Sequence, residues 1–348
     1  MRRSCSLPAL LALLCSVASC TGIVYECEPG TEPTVCSIWH LQYDAAVVAK
    51  HPDRLPTVKY LDTVRTVRVL AERYYYKRKD YLPRYDITLH TTVLGNPSIV
   101  QICDSRVRQL VIPPDLQEGD FSNNIISVIE TEPNRTYALR YLDLSHNNLM
   151  KLVNLSALVQ LQTLNMEGNG ITVLDTSVFT PMVNLTHLYL GDNSFSKIDF
   201  HPLPKGLAVL WLLRNDLREL SLTGVSRPAL RELDLEANSL VTLDLAALFT
   251  AFPALRVLPI AYNQFVQVEA ERIIAELKRR NVTYYIGVQR DEGDYCDSDE
   301  YSLDNLCFSE TLLGTQSLWK GICLLTLAVL VLTLFGYTVR WIWNQMRY

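Results

Sequence analysis

The sequence predicts an α/β solenoid, a curved sheet of short parallel strands contributed one per stacked repeat, closed off by a single C-terminal transmembrane helix. Three observations predict it: a self-similar pattern recurring at near-constant spacing, an apolar leader, and a charge-free run near the other end. At 49% hydrophobic and 20% charged the chain has enough apolar material for a core and is not a disordered or fibrous protein. Its formal charge of -5, with no basic stripe interleaved with aromatics, argues against a nucleic-acid partner.

The repeats settle the architecture. LRYLDLSHNNL from Leu139, LQTLNMEGNGI from Leu161, LTHLYLGDNSF from Leu185, LAVLWLLRNDL from Leu207, LRELDLEANSL from Leu230 and LRVLPIAYNQF from Leu255 align without gaps. Asn147, Asn169, Asn193, Asn215, Asn238 and Asn263 recur at the same intervals as these starts. Every interval falls inside the period of about 20 to 29 residues that marks a leucine-rich repeat, with Met, Ile or Phe replacing some leucines. In each short strand the alternating leucines point inward, and stacking buries a core that no single repeat could bury. Where each strand turns away, backbone groups are left inside, and an Asn amide can both donate to and accept from them. The Asn column is therefore structural.

Upstream of the repeats, residues 1–20 read as a secretory leader: Met1-Arg2-Arg3, an apolar run from Leu7 to Leu14, then small residues before Cys20. Cleavage on either side of Cys20 decides whether that thiol survives. A lipoprotein box at Val17 to Cys20 is the alternative reading. Residues 21–98 are expected to form an irregular N-terminal cap, with no helix or strand assigned to the basic stretch Lys50 to Arg84. The solenoid spans 99–268, with degenerate repeats at Ile99 to Asp104 and Val107 to Ile112, then an irregular loop through Pro113 and Asn123-Asn124 to Pro133.

Residues 269–317 make a C-terminal cap and stalk. Glu269 to Asn281 puts Ile273, Ile274 and Leu277 on one helical stripe, suited to closing the solenoid, and Val282 to Gly287 reads as a last strand-like piece. Asp291 to Glu310 carries eight acids and no base, an acidic disulfide-tied loop or stalk. Gly321 to Val339 holds no charge and is long enough to match the hydrocarbon core, so the transmembrane helix is placed at 318–339. Trp319, Trp341 and Trp343 flank it, and residues 340–348 follow as a cytoplasmic tail. The expected address is the plasma membrane, single-pass type I, with the N-terminus outside. A glycolipid anchor is the alternative, although such a signal should end apolar and this one ends with Arg347-Tyr348.

In that oxidising setting Cys27 with Cys36 and Cys296 with Cys307 are the economical disulfides. Cys103 is left over, either packed as a small apolar group or reaching another chain. Asn134, Asn154, Asn184 and Asn281 head glycosylation triplets. On the concave face, repeat positions 3, 5 and 7 point outward, which brings together the ligand candidates His187, Tyr189, Val209, Trp211 and Leu213 beside the acidic Glu232, Asp234 and Glu236. An exposed apolar and aromatic cluster points to an interface, a face covered by glycans or by the chain's own loop is the alternative, and an ordinary solvated face is the plainer reading of the acids. No nucleophile elbow, zinc helix or phosphate loop occurs, and the six His lack ligand spacing. Neither an enzyme, a metal nor a cofactor is therefore expected.

With Tyr85-Asp-Ile-Thr-Leu ahead of the weak repeats, the six repeats, and ELKRRNVTYYIGV from Glu276 ahead of Cys296, the chain resembles the leucine-rich-repeat immune proteins of mosquitoes. The resemblance covers most of Tyr25 to Cys307 and implies extracellular binding of a protein or pathogen-derived ligand in innate immunity. Secreted members are similar in pairing through cysteines and coiled coils and in holding complement-like thioester proteins. Here no heptad run follows the repeats and a membrane helix stands in its place, so a membrane-anchored relative is implied. Its partners would be an extracellular protein ligand or complement-like protein, and a co-receptor or a second copy for signalling, since the tail has no room for a domain. The competing expectation is an adhesion or guidance receptor acting through the same face.

Overall fold

The computed structural model describes residues 22–28, 32–60, 62–71, 82–132, 134–151, 154–285, 296–297 and 300–309. The expected leader, membrane span and tail lie outside these residues. Among the described residues, no helix is long and apolar enough to cross a membrane. The chain divides into two compact units, one formed by residues 1–193 and 202–207, the other by 194–201 and 208–348.

The first unit carries strands β1 (Val24–Glu26), β2 (Val35–Trp39), β3 (Thr57–Lys59), β4 (Thr66–Leu70), β5 (Arg84–Tyr85), β6 (Ile99–Ile102), β7 (Gln109–Val111), β8 (Glu118–Asp120), β9 (Val128–Glu130), β10 (Tyr141–Asp143), β11 (Thr163–Asn165) and β12 (His187–Tyr189), and helix α1 (Ala45–Lys50). Strands β2, β4, β6, β8, β10, β11 and β12 lie side by side in that order, all parallel. Parallel pairing in chain order is what stacked repeats require, because each strand must be followed by a return before the next can lie beside it. The central leucines Leu142, Leu164 and Leu188 are in register and fully buried. Burial contributes roughly 1.5–3 kcal/mol for each large side chain of this column.

Regular structure begins earlier than the expected boundary at 99. Strands β2 and β4 precede it, and β4 aligns Val67 with Val100 and Val69 with Ile102 of β6, so that these side chains extend the buried column. Their alternating apolar positions carry no leucine signature, which is why the repeat pattern does not reveal them. The expected irregular loop from Pro113 to Pro133 is also ordered. It contains β8 and β9, and Asn124 stands one repeat ahead of Asn147 as a further member of the Asn column. β5, β7 and β9 form a separate three-stranded parallel sheet.

The second unit carries β13 (Val209–Trp211), β14 (Glu232–Asp234), α2 (Leu245–Ala251), α3 (Gln267–Arg279), β15 (Glu300–Leu303) and β16 (Leu306–Ser309). β13 and β14 are parallel, and single bridges continue the series from Glu232 to Val257 and from Val257 to Thr283. The expected closing helix is α3, with Ala270, Ile273, Ile274 and Leu277 buried on one side. Asp244 caps α2 by accepting the Ala247 N–H at 3.0 Å, which satisfies a donor that the first helical turn leaves free.

Both expected disulfides are present, Cys27 to Cys36 and Cys296 to Cys307. The second ties the acidic segment into a loop, the first of its two expected forms. β15 and β16 form an antiparallel hairpin in which Phe308 is fully buried, and Cys307 O and Ser309 N bond to Tyr262 N and Asn263 O of the last repeat. Leu306, Cys307 and Phe308 cover the core from within this acid-rich stretch.

The Asn column works as the turn chemistry requires. Asn147 Nδ2 donates to Phe121 O, Leu144 O and Ser145 O at 3.0–3.1 Å, and its Oδ1 accepts from Ile126 N at 2.8 Å. Asn169, Asn193, Asn238 and Asn263 repeat this pattern, each tying its own turn to the repeat before it. Asn124 does the same after β8, accepting from Ser105 N and Val107 N and donating to Ile102 O of the repeat before it.

Candidate functional site

Strand alternation fixes what the sheet presents. In the first unit the open rows run Ile99, Glu118, Tyr141, Thr163, His187 and Gln101, Asp120, Asp143, Asn165, Tyr189. Tyr141 is exposed, whereas His187 and Tyr189 are half-buried. Their rings lie 6.4 Å apart at a tilt of 35°, and His187 Nδ1 sits 2.9 Å from Thr186 Oγ1.

The fifth position has a structural duty in β8, β10, β11 and β14. Asp120, Asp143 and Asn165 each accept the backbone N–H two residues on, from Ser122, Ser145 and Glu167, at 2.8–3.1 Å. In the second unit Asp234 accepts from Glu236 N at 2.9 Å. A short Asx side chain is suited to this local bond, which secures the strand end as the chain turns. Asp143 is further engaged by Tyr141 Oη and Asn165 Nδ2 at its other oxygen. The recurring Asp or Asn two residues before an unsatisfied turn was the visible signal for these residues.

This finding corrects part of the expected ligand face. Asp234 is buried with its carboxylate turned to its own backbone, so it is no open acidic contact. Ser145, Gly191, Pro259 and Ala261, expected to point outward, are buried as well. Glu167, Leu213 and Glu236, at the same position as Ser145, Gly191 and Ala261, stay half-buried, and in the last repeat Tyr262 is bonded to the β15–β16 hairpin. In the second unit Val209, Trp211 and Leu213 are half-buried rather than freely exposed. Trp211 Nε1 donates to Glu232 Oε1 at 2.6 Å, so the indole and the neighbouring acid are one assembly. Where Asx stands in the other strands named above, Tyr189 and Trp211 put rings that cannot make the turn-securing bond.

Electrostatics at the face favour protonated or uncharged forms. Burial raises the Glu167 carboxyl, and the nearby charges of Asp192 and Asp143 add to it. Burial also raises the Tyr141 phenol, again reinforced by Asp143 and Asp120. Cys103 follows β6, half-buried, with Ser122 Oγ donating to its sulfur at 3.4 Å. Burial pushes its thiol up to about 12, so it is protonated at neutral pH and a poor partner for exchange. A grouping of metal-ligating types at Cys296, Glu300 and Cys307 offers no thiolate, because both sulfurs are in the disulfide. Asn134, Asn154, Asn184 and Asn281 all stand at the surface.

The family model for leucine rich repeats matches residues 159–217, and a second model of the same description matches residues 138–158. Residues 138–217 are leucine-rich repeats. The chain is similar to human Vasorin, 36% identical over 143 residues that make up 38% of this chain and 20% of Vasorin. It is also similar to mouse Epiphycan, 31% identical over 134 residues, 36% of this chain and 41% of Epiphycan. The matched region thus spans well under half of either relative. Among solved structures it resembles a chain of the Drosophila Toll–Spatzle complex at a TM-score of 0.50 and 19% identity, over 66% of this chain and 34% of that one. That likeness bears on the solenoid-like fold alone.

Proposed function

We propose that the protein is a membrane-anchored leucine-rich-repeat receptor that binds a protein or pathogen-derived ligand outside the cell, in innate immune recognition. One observation carries the binding reading. Asx secures the strand end in β8, β10, β11 and β14, and β12 and β13 carry the aromatic Tyr189 and Trp211 at the same position. Aromatic rings on an otherwise polar face supply contact area at low entropic cost, which suits a protein interface. His187 and Tyr189 serve the first unit's face, and Val209, Trp211, Leu213 and Glu232 the second's.

The anchoring reading is supported by the leader at 1–20 and the charge-free run from Gly321 to Val339. The immune reading is supported by the resemblance of residues 25–307 to the mosquito proteins. The test is capture of proteins from native extracellular fluid by the ectodomain, residues 23–317, and by its Tyr189→Ala and Trp211→Ala variants. Recovery of a complement-like or other defence protein, reduced at least tenfold by either substitution at unchanged secretion, is the expected result. Capture that survives both substitutions moves the ligand off this face. Binding to intact cells with nothing recovered from fluid replaces immunity with adhesion or guidance.

A further inference from the structure

In the second unit a groove of about 420 Å³ lies between α2 and α3. Its floor is apolar and short, Leu245 and Ala246 from α2 with Ala275 from α3, and Glu276, Arg272, Arg279 and Arg280 stand around it. Each of the three arginines is held in place. Arg272 donates from Nε and Nη2 to the two oxygens of Glu269 at 2.8 and 2.7 Å, and from Nη2 to Leu243 O at 2.8 Å. Arg279 donates from the same two nitrogens to Glu276 at 2.7 and 2.6 Å. Arg280 Nε donates to Glu276 Oε1 at 2.6 Å, and its guanidinium lies 4.2 Å from the centre of the Phe249 ring.

Charge is unequal along the groove. At Arg272, Glu269 and the nearby Asp244 carboxylate stand against one guanidinium. At the other end two guanidiniums share the single carboxylate of Glu276, which leaves that end one negative charge short. The open donors are there as well: Arg279 Nη1 and both Nη groups of Arg280 have no hydrogen-bond partner among the described residues. Free carbonyls at a helix C-terminus disfavour an anion. In α3 three of them are taken, because Glu276 O, Leu277 O and Lys278 O accept from Arg280 N, Val282 N and Asn281 N. A planar guanidinium fixed at one edge and stacked on a ring presents its remaining N–H groups in set directions, which suits paired hydrogen bonds to an oxyanion.

We propose that this groove binds a phosphate or sulfate monoester, with the oxyanion on Arg279 and Arg280 and the apolar body of the ester over Leu245, Ala246 and Ala275. The ester's charge supplies what Glu276 leaves unbalanced, and the short floor gives its carbon portion room beside the acid group. Glu276 is a positioning residue: it turns two guanidiniums toward the same place. The site stands on α2 and α3 and does not depend on the strand-face reading, whose failure is seen in capture by Tyr189 and Trp211 variants that leave these helices untouched.

The test is fluorine NMR line broadening by the full chain in an uncharged detergent, with para-fluorophenyl phosphate, para-fluorophenyl sulfate and the neutral para-fluorophenyl glucoside as probes and empty micelles as the blank. At least one ester should bind at least tenfold more tightly than the glucoside, and the comparison of the two esters names the acid group. Arg279→Gln with Arg280→Gln should weaken that ester at least tenfold. Arg231→Gln with Arg256→Gln removes the same charge from exposed arginines outside the groove and should leave the affinity within twofold. Three results overturn the proposal: neither ester binds, the glucoside binds equally well, or both double variants weaken the ester alike. Because the groove variant removes ion pairs of α3, Arg280→Lys is its companion, keeping the charge while losing the planar fork. It should weaken the ester at least threefold, and unchanged affinity overturns the proposal as well.

Discussion

At the residue scale the protein is governed by side chains that serve their own backbone. Asn147 makes four hydrogen bonds inside the core, and Asn147→Ala strands Ile126 N, whereas Phe121 O, Leu144 O and Ser145 O each keep a second donor in Asn124 Nδ2, Asn169 Nδ2 and Asn123 N. Leaving a buried group unsatisfied costs about 1–3 kcal/mol, which is the loss expected for this substitution. Urea unfolding of the ectodomain checks it, and a midpoint unchanged within error would show that water replaces the amide. Cys103 is the opposite case, a group whose chemistry is switched off. With its thiol pushed up to about 12, native Cys103 should react with a disulfide reagent at pH 7.5 more than about 100-fold slower than in the unfolded chain. A native rate within tenfold of the unfolded one would restore the interchain thiol as a serious reading.

At the scale of elements, α3 shows how a closing helix is fixed to the repeat it covers. Its buried stripe meets the core, and Glu269 in its first turn reaches Thr242, Leu243 N and the Arg272 guanidinium. The bonds from Arg272 chiefly, with Thr242 and Leu243 N adding, pull the Glu269 carboxyl down from 4.5 to about 2. A depressed carboxyl stabilises the fold above its unfolded value, and that contribution is lost as pH falls from 4.5 toward 2. Wild-type ectodomain should therefore lose more stability across that window than Glu269→Gln, measured as the difference between their urea midpoints at pH 5 and pH 3. Parallel curves for the two proteins would remove Glu269 from the acid response. The element least visible beforehand, the β15–β16 hairpin, is held by Leu306, Cys307 and Phe308 inside an otherwise acidic segment. Its composition reads as a loop or stalk, without strands, because eight acids outweigh three apolar residues that are buried.

At the scale of the whole molecule, two units each carry part of the repeat series, and the four sequon asparagines stand at the surface among the described residues. Asn154 and Asn184 use Nδ2 to donate to Ile129 O and Val159 O, at 2.9 and 3.1 Å. An amide has two N–H donors, so the bond at Asn154 leaves the other for a sugar, and at Asn184 a sugar takes the place of a second bond, to Gln160 Oε1 at 3.4 Å. Protein secreted from insect or mammalian cells should lose the mass of four glycans on treatment with an N-glycosidase, with the Asn-to-Asp change read at each site by mass spectrometry. Fewer than four converted sites would show that some triplets are passed over during secretion. The capture experiment belongs to this scale too, since Tyr189 and Trp211 lie in different units and their substitutions report on each face separately.

Period and composition alone determined the solenoid, because a leucine every second strand position and an Asn at each turn can be satisfied together only by stacking parallel repeats. The two disulfides and the closing helix were legible for the same reason: short loops and a one-sided apolar stripe leave few other arrangements. What only the tertiary structure decided was which outward positions are open. Asp234 and Ser145 read as solvent-facing by alternation, yet one is buried securing its own turn and the other is buried with its carbonyl accepting from Asn147. The early strands β2 and β4 were hidden because valine and isoleucine fill the same core column that leucine fills later, and no spacing rule marks them until β6 lies alongside. Periodicity encodes what every repeat must do, whereas the face a ligand meets depends on where a single side chain finds its hydrogen bond.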